Sequence, residues 1–126
     1  MWLNTFSAAD EPMPHCILDC SRTIEKHANC EAIINAVHSA AAGTGLFAEG
    51  DVKVRMNLFE HYTAGGTPAD FVHTIVYLLA GRTLEQRQNL SSVIVKELKQ
   101  LLPDVPIISL DIREIDRATY NNRETV

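Results

Sequence analysis

The chain has 126 residues, 46% hydrophobic and 21% charged, with a formal net charge of −5; the length fits one domain with a real core, and the acidic balance argues against nucleic acid or an anionic membrane as partner. A small anionic ligand stays open, because a few placed cations decide that locally. No apolar run approaches the roughly 18 residues of a membrane helix, and residues 1–12, MWLNTFSAADEP, lack the basic start and sustained apolar stretch of a signal peptide, so the expected compartment is the cytoplasm.

In chain order, residues 14–20 read as a strand with Cys16, Leu18 and Cys20 on one face and His15, Ile17 and Asp19 on the other. Residues 28–42 read as a helix. Cys30, Ile33, Ile34, Val37, Ala40 and Ala41 recur at helical spacing, and Gly43 offers a stop. Residues 52–62 alternate again, with Val52, Val54, Met56 and Leu58 opposite Lys53, Arg55, Asn57 and Phe59. TAGGTPAD, residues 63–70, is a turn by its Gly-Gly pair and proline. Residues 71–79, FVHTIVYLL, are apolar on both faces and predict a strand covered from both sides.

Residues 83–102 predict a strong helix. Thr83 and Gln86 have capping-box spacing, Leu90, Val93, Ile94, Leu98, Leu101 and Leu102 form the apolar stripe, and Pro103 ends it. Residues 107–115 give a last strand with Ile108, Leu110 and Ile112 inward, followed by a polar, irregular tail. The order is β-α-β-β-α-β, an α+β pattern. A weak repeat supports a duplicated β-α-β unit: RTIEKHANCEAI from Arg22 matches RTLEQRQNLSSV from Arg82, an Arg-Thr pair at each strand-to-helix handover. On pattern alone, the order equally suits a ferredoxin-like sandwich, a superfold with many functions.

The chemistry centres on Pro14. As an internal residue it is a tolerated strand-start proline. As an amino terminus it is a secondary amine. Free α-amino groups titrate near 7.7 to 8.0, and an apolar pocket with neighbouring cations disfavours the charged form. The result is a neutral base suited to proton transfer near physiological pH. With residues 1–13 attached, that nitrogen is an amide without basicity. The expected organisation is therefore a leader, 1–13, that is a mis-assigned start, a tag or a removed segment, and a single domain, 14–126.

Lys53 and Arg55 share a strand face, and Arg82 stands at the junction of the third strand and second helix. Together they offer carboxylate sites, Arg through bidentate contacts and Lys as a point charge. Arg22, the repeat partner of Arg82, reads as structural. His15 and His73 fall inside strands and read as satisfied core or interface histidines, and no His pair, including His61, has a metal-ligand spacing. The three cysteines suggest no disulfide framework. Cys16 and Cys20 on one strand would lie about 13 Å apart, too far to share a metal or a bridge.

Four stretches carry a family resemblance: MPHCILDCS at 13–21, GLFAEGDVKVR at 45–55, FVHTIVYLLAGRTLEQRQ at 71–88 and SLDIREID at 109–116. With these, the chain resembles the 5-carboxymethyl-2-hydroxymuconate Δ-isomerase family of the tautomerase superfamily. The resemblance implies a tautomerase-like subunit, a four-stranded sheet with two helices on one face, assembled as a homotrimer. It also implies an amino-terminal proline as catalytic base, matched by Pro14, and substrate-binding cations matched by Arg55 and Arg82. At Lys53 the family pattern has Arg, so charge is kept while bidentate geometry is lost.

The implied reaction converts a dienol polycarboxylate to its unsaturated ketone, in homoprotocatechuate degradation, with no metal or organic cofactor. The implied partners are a small anionic substrate and further copies of the chain. Two alternatives stand beside it: a tautomerase-family trimer acting on another small enol or keto acid, and a non-catalytic trimeric binding protein whose Pro14 is blocked by the leader.

Overall fold

Alternation and helical spacing resolve into four strands and two helices in a computed structural model that describes residues 13–126. Apart from Met13, the expected leader lies outside the described residues. The elements are β1 His15–Ser21, α1 Cys30–Gly43, β2 Lys53–Phe59, β3 Phe71–Leu79, α2 Leu84–Leu101 and β4 Ile107–Ile115. Short 3-10 turns, Arg22–Lys26 and Glu49–Asp51, precede α1 and β2. The sheet order is β2-β1-β3-β4. β1 runs parallel to β2 and β3 parallel to β4, while the central pair β1 and β3 is antiparallel. Each parallel pair is joined through one helix, so the sheet is two β-α-β units set side by side, as the sequence repeat anticipates.

The helix ends follow local chemistry. Asn29 caps α1 by accepting from the Ala32 N–H at 2.7 Å. At the other end the left-handed residue is Gly45, with φ of 77°, rather than Gly43, which stays in the last helical turn. The N–H groups of Thr44 and Gly45 return to the carbonyls of Ala41 and Ala42, satisfying acceptors that a helix terminus leaves open. Thr83 and Gln86 form a reciprocal capping box at the start of α2.

Both helices cover one face of the sheet. Cys16, Leu18 and Cys20 of β1 and Val72, Val76 and Leu78 of β3 are fully buried, as are Ile33, Val37 and Ala41 of α1 and Leu90, Ile94 and Leu98 of α2. Each large aliphatic side chain buried this way stabilises the fold by about 1.5–3 kcal/mol. The opposite face carries His15, Ile17 and Asp19, with His73, Ile75 and Tyr77 beside them, all half-buried. The double coverage anticipated for β3 is thus met on one side only within a single chain. Phe59 and Ile107, at the ends of the two edge strands, are 39% and 38% exposed.

β2 stops at Phe59, short of the Tyr62 that alternation suggested. Glu60 turns to pair with Arg22 at 3.3 Å. Tyr62 donates to the Pro68 carbonyl at 3.0 Å and packs edge-on against Phe71. Arg22 is accordingly a surface ion-pair partner, in keeping with its structural reading. After β4 the chain is irregular but anchored: Arg117 Nε donates to the Ala80 carbonyl at 2.6 Å, and Tyr120 packs against the core.

Candidate active site

Strand register gathers several candidate residues at one end of the sheet. Because β1 and β3 are antiparallel, β1 begins where β3 finishes: His15 lies opposite Tyr77, and also opposite Lys53 on the other side. Pro14 directly precedes β1 and is buried. Its carbonyl accepts from the Lys53 N–H at 3.1 Å, tying the starts of β1 and β2 together. Met13, bonded to its nitrogen, is also fully buried.

Lys53 is exposed and its ammonium donates to the Asp51 carbonyl at 2.7 Å. Arg55, two residues on along the same face, is exposed, and its Nη1 donates to His15 Nδ1 at 3.0 Å. Burial, with the charges of Lys53 and Arg55, lowers the pKa of His15 from its ordinary value. Beneath this face Cys16 points into the core, where burial pushes its thiol up to about 12, so it is no nucleophile at neutral pH.

Arg82 approaches from a different direction. It follows the turn after β3 and is 8% exposed. Nη2 donates to the Leu46 carbonyl at 2.6 Å, and the guanidinium carbon sits 5.8 Å from the centroid of the Phe47 ring. The geometry therefore couples Lys53 and Arg55 to the start of β1 on the open sheet face. It seats Arg82 against the connection between α1 and β2, at the same end of the sheet but on the side of the buried core.

The sequence reading passed over two neighbours of these residues. Tyr77, on the open face of β3, lies opposite His15 on one side and Arg113 of β4 on the other, and Arg113 pairs with Asp111 at 3.0 Å. Alternation in β4 does put Arg113 on the face away from Ile112, but only the register brings it into line with His15 and Lys53. His15 and His73 are likewise open-face residues with polar partners; His73 Nδ1 lies 2.6 Å from Ser109 Oγ.

At the opposite end of the sheet, Asp70 collects hydrogen bonds from Ser21 at 2.9 Å, from Thr23, and from His27 at 2.8 Å. Desolvation of the carboxylate works upward, but the bonds from Thr23, His27 and Ser21 outweigh it and hold Asp70 below its ordinary range. Among the described residues no three His, Cys, Asp or Glu side chains are grouped to hold a metal ion. Nor is any helix among them long and apolar enough to cross a membrane.

The two-unit sheet with both helices on one face is the subunit fold of the tautomerase superfamily. It superposes on a 5-carboxymethyl-2-hydroxymuconate isomerase from Deinococcus radiodurans R1 with a TM-score of 0.79 at 16% identity, covering 92% of each chain. A fused 4-OT described as a wild-type symmetric trimer gives a TM-score of 0.74 at 17% identity, over 89% of this chain and 94% of that one. The chain belongs to the 5-carboxymethyl-2-hydroxymuconate isomerase family, whose sequence profile matches residues 14–126, and is an enzyme of the isomerase class. It is also 28% identical over 89 residues to the 5-carboxymethyl-2-hydroxymuconate Delta-isomerase of Escherichia coli, covering 69% of this chain and 71% of that protein.

Proposed function

We propose that the protein converts 5-carboxymethyl-2-hydroxymuconate, or a closely related dienol carboxylate, to its unsaturated ketone, with the free secondary amine of Pro14 as general base. The observation that carries this reading is the family match, which opens at Pro14 itself. Neutral Pro14 takes the proton of the 2-hydroxyl group and returns a proton to C-5. Lys53, Arg55 and Arg82 hold the carboxylates and stabilise negative charge developing on the oxygen, the term that usually supplies most of the acceleration. No step calls on a metal or an organic cofactor.

The reading requires residues 1–13 to be absent from the working enzyme, leaving 14–126 as its one domain. Met13 is fully buried, so its release uncovers space directly at the nitrogen that must meet substrate. The working assembly is a homotrimer, supported by the trimeric description of the fused 4-OT of like fold and by the uncovered sheet face. The setting is homoprotocatechuate degradation in the cytoplasm.

The test compares the 126-residue chain with one beginning at Pro14, and each with its Pro14→Ala form. Ketonisation of 5-carboxymethyl-2-hydroxymuconate is followed by absorbance, and the amino terminus is read by intact mass. Turnover should require a free Pro14 and fall at least about a hundredfold in Pro14→Ala, the usual scale of a general base. Full activity in a chain whose mass still includes Met1 overturns the reading. One observation favours a second substrate class: Lys53 supplies a single ammonium, already bonded to the Asp51 carbonyl, where the family pattern has a bidentate guanidinium. A smaller enol or keto acid with fewer carboxylates would need less at that position. Comparing kcat/KM for mono-, di- and tricarboxylate enols separates the two.

A further inference from the structure

Arg55 and His15 make a contact with a chemical condition attached. A guanidinium has only N–H donors, and a protonated imidazole has two N–H donors and no acceptor. The 3.0 Å approach of Arg55 Nη1 to His15 Nδ1 is therefore a hydrogen bond only when Nδ1 carries a lone pair. Such a bond requires His15 as the neutral tautomer protonated on Nε2.

We propose that His15 is the positioning residue of Arg55: its neutral ring holds the guanidinium at the Pro14 end of the open sheet face, and acid releases it. The proposal rests on the reading of Arg55 as a substrate-binding cation.

The surroundings make the contact responsive to acid. On β2, Lys53 lies directly opposite His15 and Arg55 bonds to it. On β3 it faces Tyr77, and beyond Tyr77 on β4 stands Arg113, itself paired with Asp111. On β1 its own-face neighbour is the uncharged Ile17. Two cations, Lys53 and Arg55, thus stand beside the ring, while Arg113 lies one strand further off and is engaged by Asp111. A proton added to Nδ1 replaces an attraction to Arg55 with a repulsion. Burial and the charges of Lys53 and Arg55 lower the His15 pKa, so the neutral form persists below the ordinary imidazole midpoint and the contact fails below that. The consequence for catalysis is an acid limb in substrate binding that belongs to His15 and is separable from the titration of Pro14.

Two measurements test this. In the 126-residue chain, long-range 1H–15N NMR, with His15 assigned by its loss in His15→Asn, should report the Nε2–H tautomer at neutral pH. Arg55→Ala should move the His15 midpoint upward. An Nδ1–H tautomer, or a midpoint indifferent to Arg55→Ala, overturns the contact. In the chain beginning at Pro14, His15→Ala should raise KM for 5-carboxymethyl-2-hydroxymuconate by about three- to tenfold, with kcat within about twofold, as expected for loss of one hydrogen bond that orients a binding group. His15→Asn, whose Oδ1 can replace Nδ1 as an acceptor but cannot titrate, should restore KM at neutral pH and abolish its rise in acid.

An unchanged KM in His15→Ala, or the same acid rise in His15→Asn as in the native sequence, overturns the positioning role. Absence of turnover in every form overturns the parent reading and this role with it, while the NMR result still decides the contact.

Discussion

The Arg82 guanidinium donates to the Leu46 carbonyl at 2.6 Å while standing 5.8 Å from the centre of the Phe47 ring. The connection between α1 and β2 is thereby joined to the turn after β3. Phe47 is 3% exposed and belongs to the core, so one aromatic side chain serves both packing and the placement of a cation.

Phe47→Ala should cost about 3–5 kcal/mol of stability through the cavity it leaves, measured by urea unfolding. Phe47→Leu keeps most of the buried volume but removes the ring face. It should cost less stability while raising KM severalfold, because the guanidinium loses its stacking surface. A KM unchanged in Phe47→Leu would mean that the ring does not place Arg82.

If Arg82 binds substrate as proposed, Arg82→Ala removes that contact and a structural hydrogen bond together. It should raise KM by tenfold or more and also lower stability by about 1–3 kcal/mol, since the Leu46 carbonyl loses a charged donor. Denaturant unfolding and steady-state kinetics on the same preparation check both. A stability loss without a KM change would make Arg82 a structural residue only.

Asp70 gives a pH prediction at the far end of the sheet. Its bonds from Ser21, Thr23 and His27 fasten the start of β3 to the end of β1 and the 3-10 turn after it. Its folded pKa lies below the ordinary 3.8, so the unfolded chain takes up the proton first as pH falls. The stabilisation is then fully present above 3.8 and is lost as pH drops through the lower folded value. Asp70→Asn should cost about 1–3 kcal/mol at neutral pH, and the gap between variant and native chain in urea midpoint should close as pH falls below 3.8. A gap that stays constant across that range would assign the loss to packing rather than to the carboxylate charge.

What the sequence made legible was local. Alternation in VKVRMNLF placed Lys53 and Arg55 on one face, and the Thr83–Gln86 spacing announced a capping box that is present. These are local signals, fixed by the strand and helix periods. Pairings that depend on register were not legible. Nothing in the spacing of His15 and Arg55 says that they meet, because β1 and β2 are separated by a helix and two 3-10 turns whose lengths set the offset. Asp70 closes a stretch whose composition marks only a turn, because its partners lie 43 to 49 residues away. The breadth of apolar β3 pointed to cover on two sides, and a single chain provides one. In the proposed trimer the second cover comes from other copies, about which one chain's periodicity says nothing.

The cysteines yield a chemical prediction. Cys16 and Cys20 are buried and their thiols are pushed up to about 12, in both cases chiefly by burial. Thiolate is the reacting species, so a thiol reagent at about pH 8 should label the half-exposed Cys30 first, with Cys16 and Cys20 labelled only on unfolding. Mass spectrometry of partially labelled protein checks the order. Rapid labelling of Cys16 in folded protein would contradict its seat beneath the open face.

The uncovered face supplies the last prediction. Ile17 and Ile75 are direct cross-strand partners there, with Arg55 flanking Ile17 and Asp111 flanking Ile75. An apolar pair in the middle of a sheet face, rimmed by charge, resembles the centre of an interface rather than a solvated surface. If other subunits cover it, Ile75→Glu places a carboxylate where burial is costly, repeated in every copy. The variant should sediment as a monomer while retaining its far-ultraviolet circular dichroism, because the helix-covered face is untouched. It should also lose activity in proportion to the loss of assembly if groups from two subunits complete the site. A native chain that sediments as a monomer, or an Ile75→Glu variant that stays trimeric, would remove this face from the assembly.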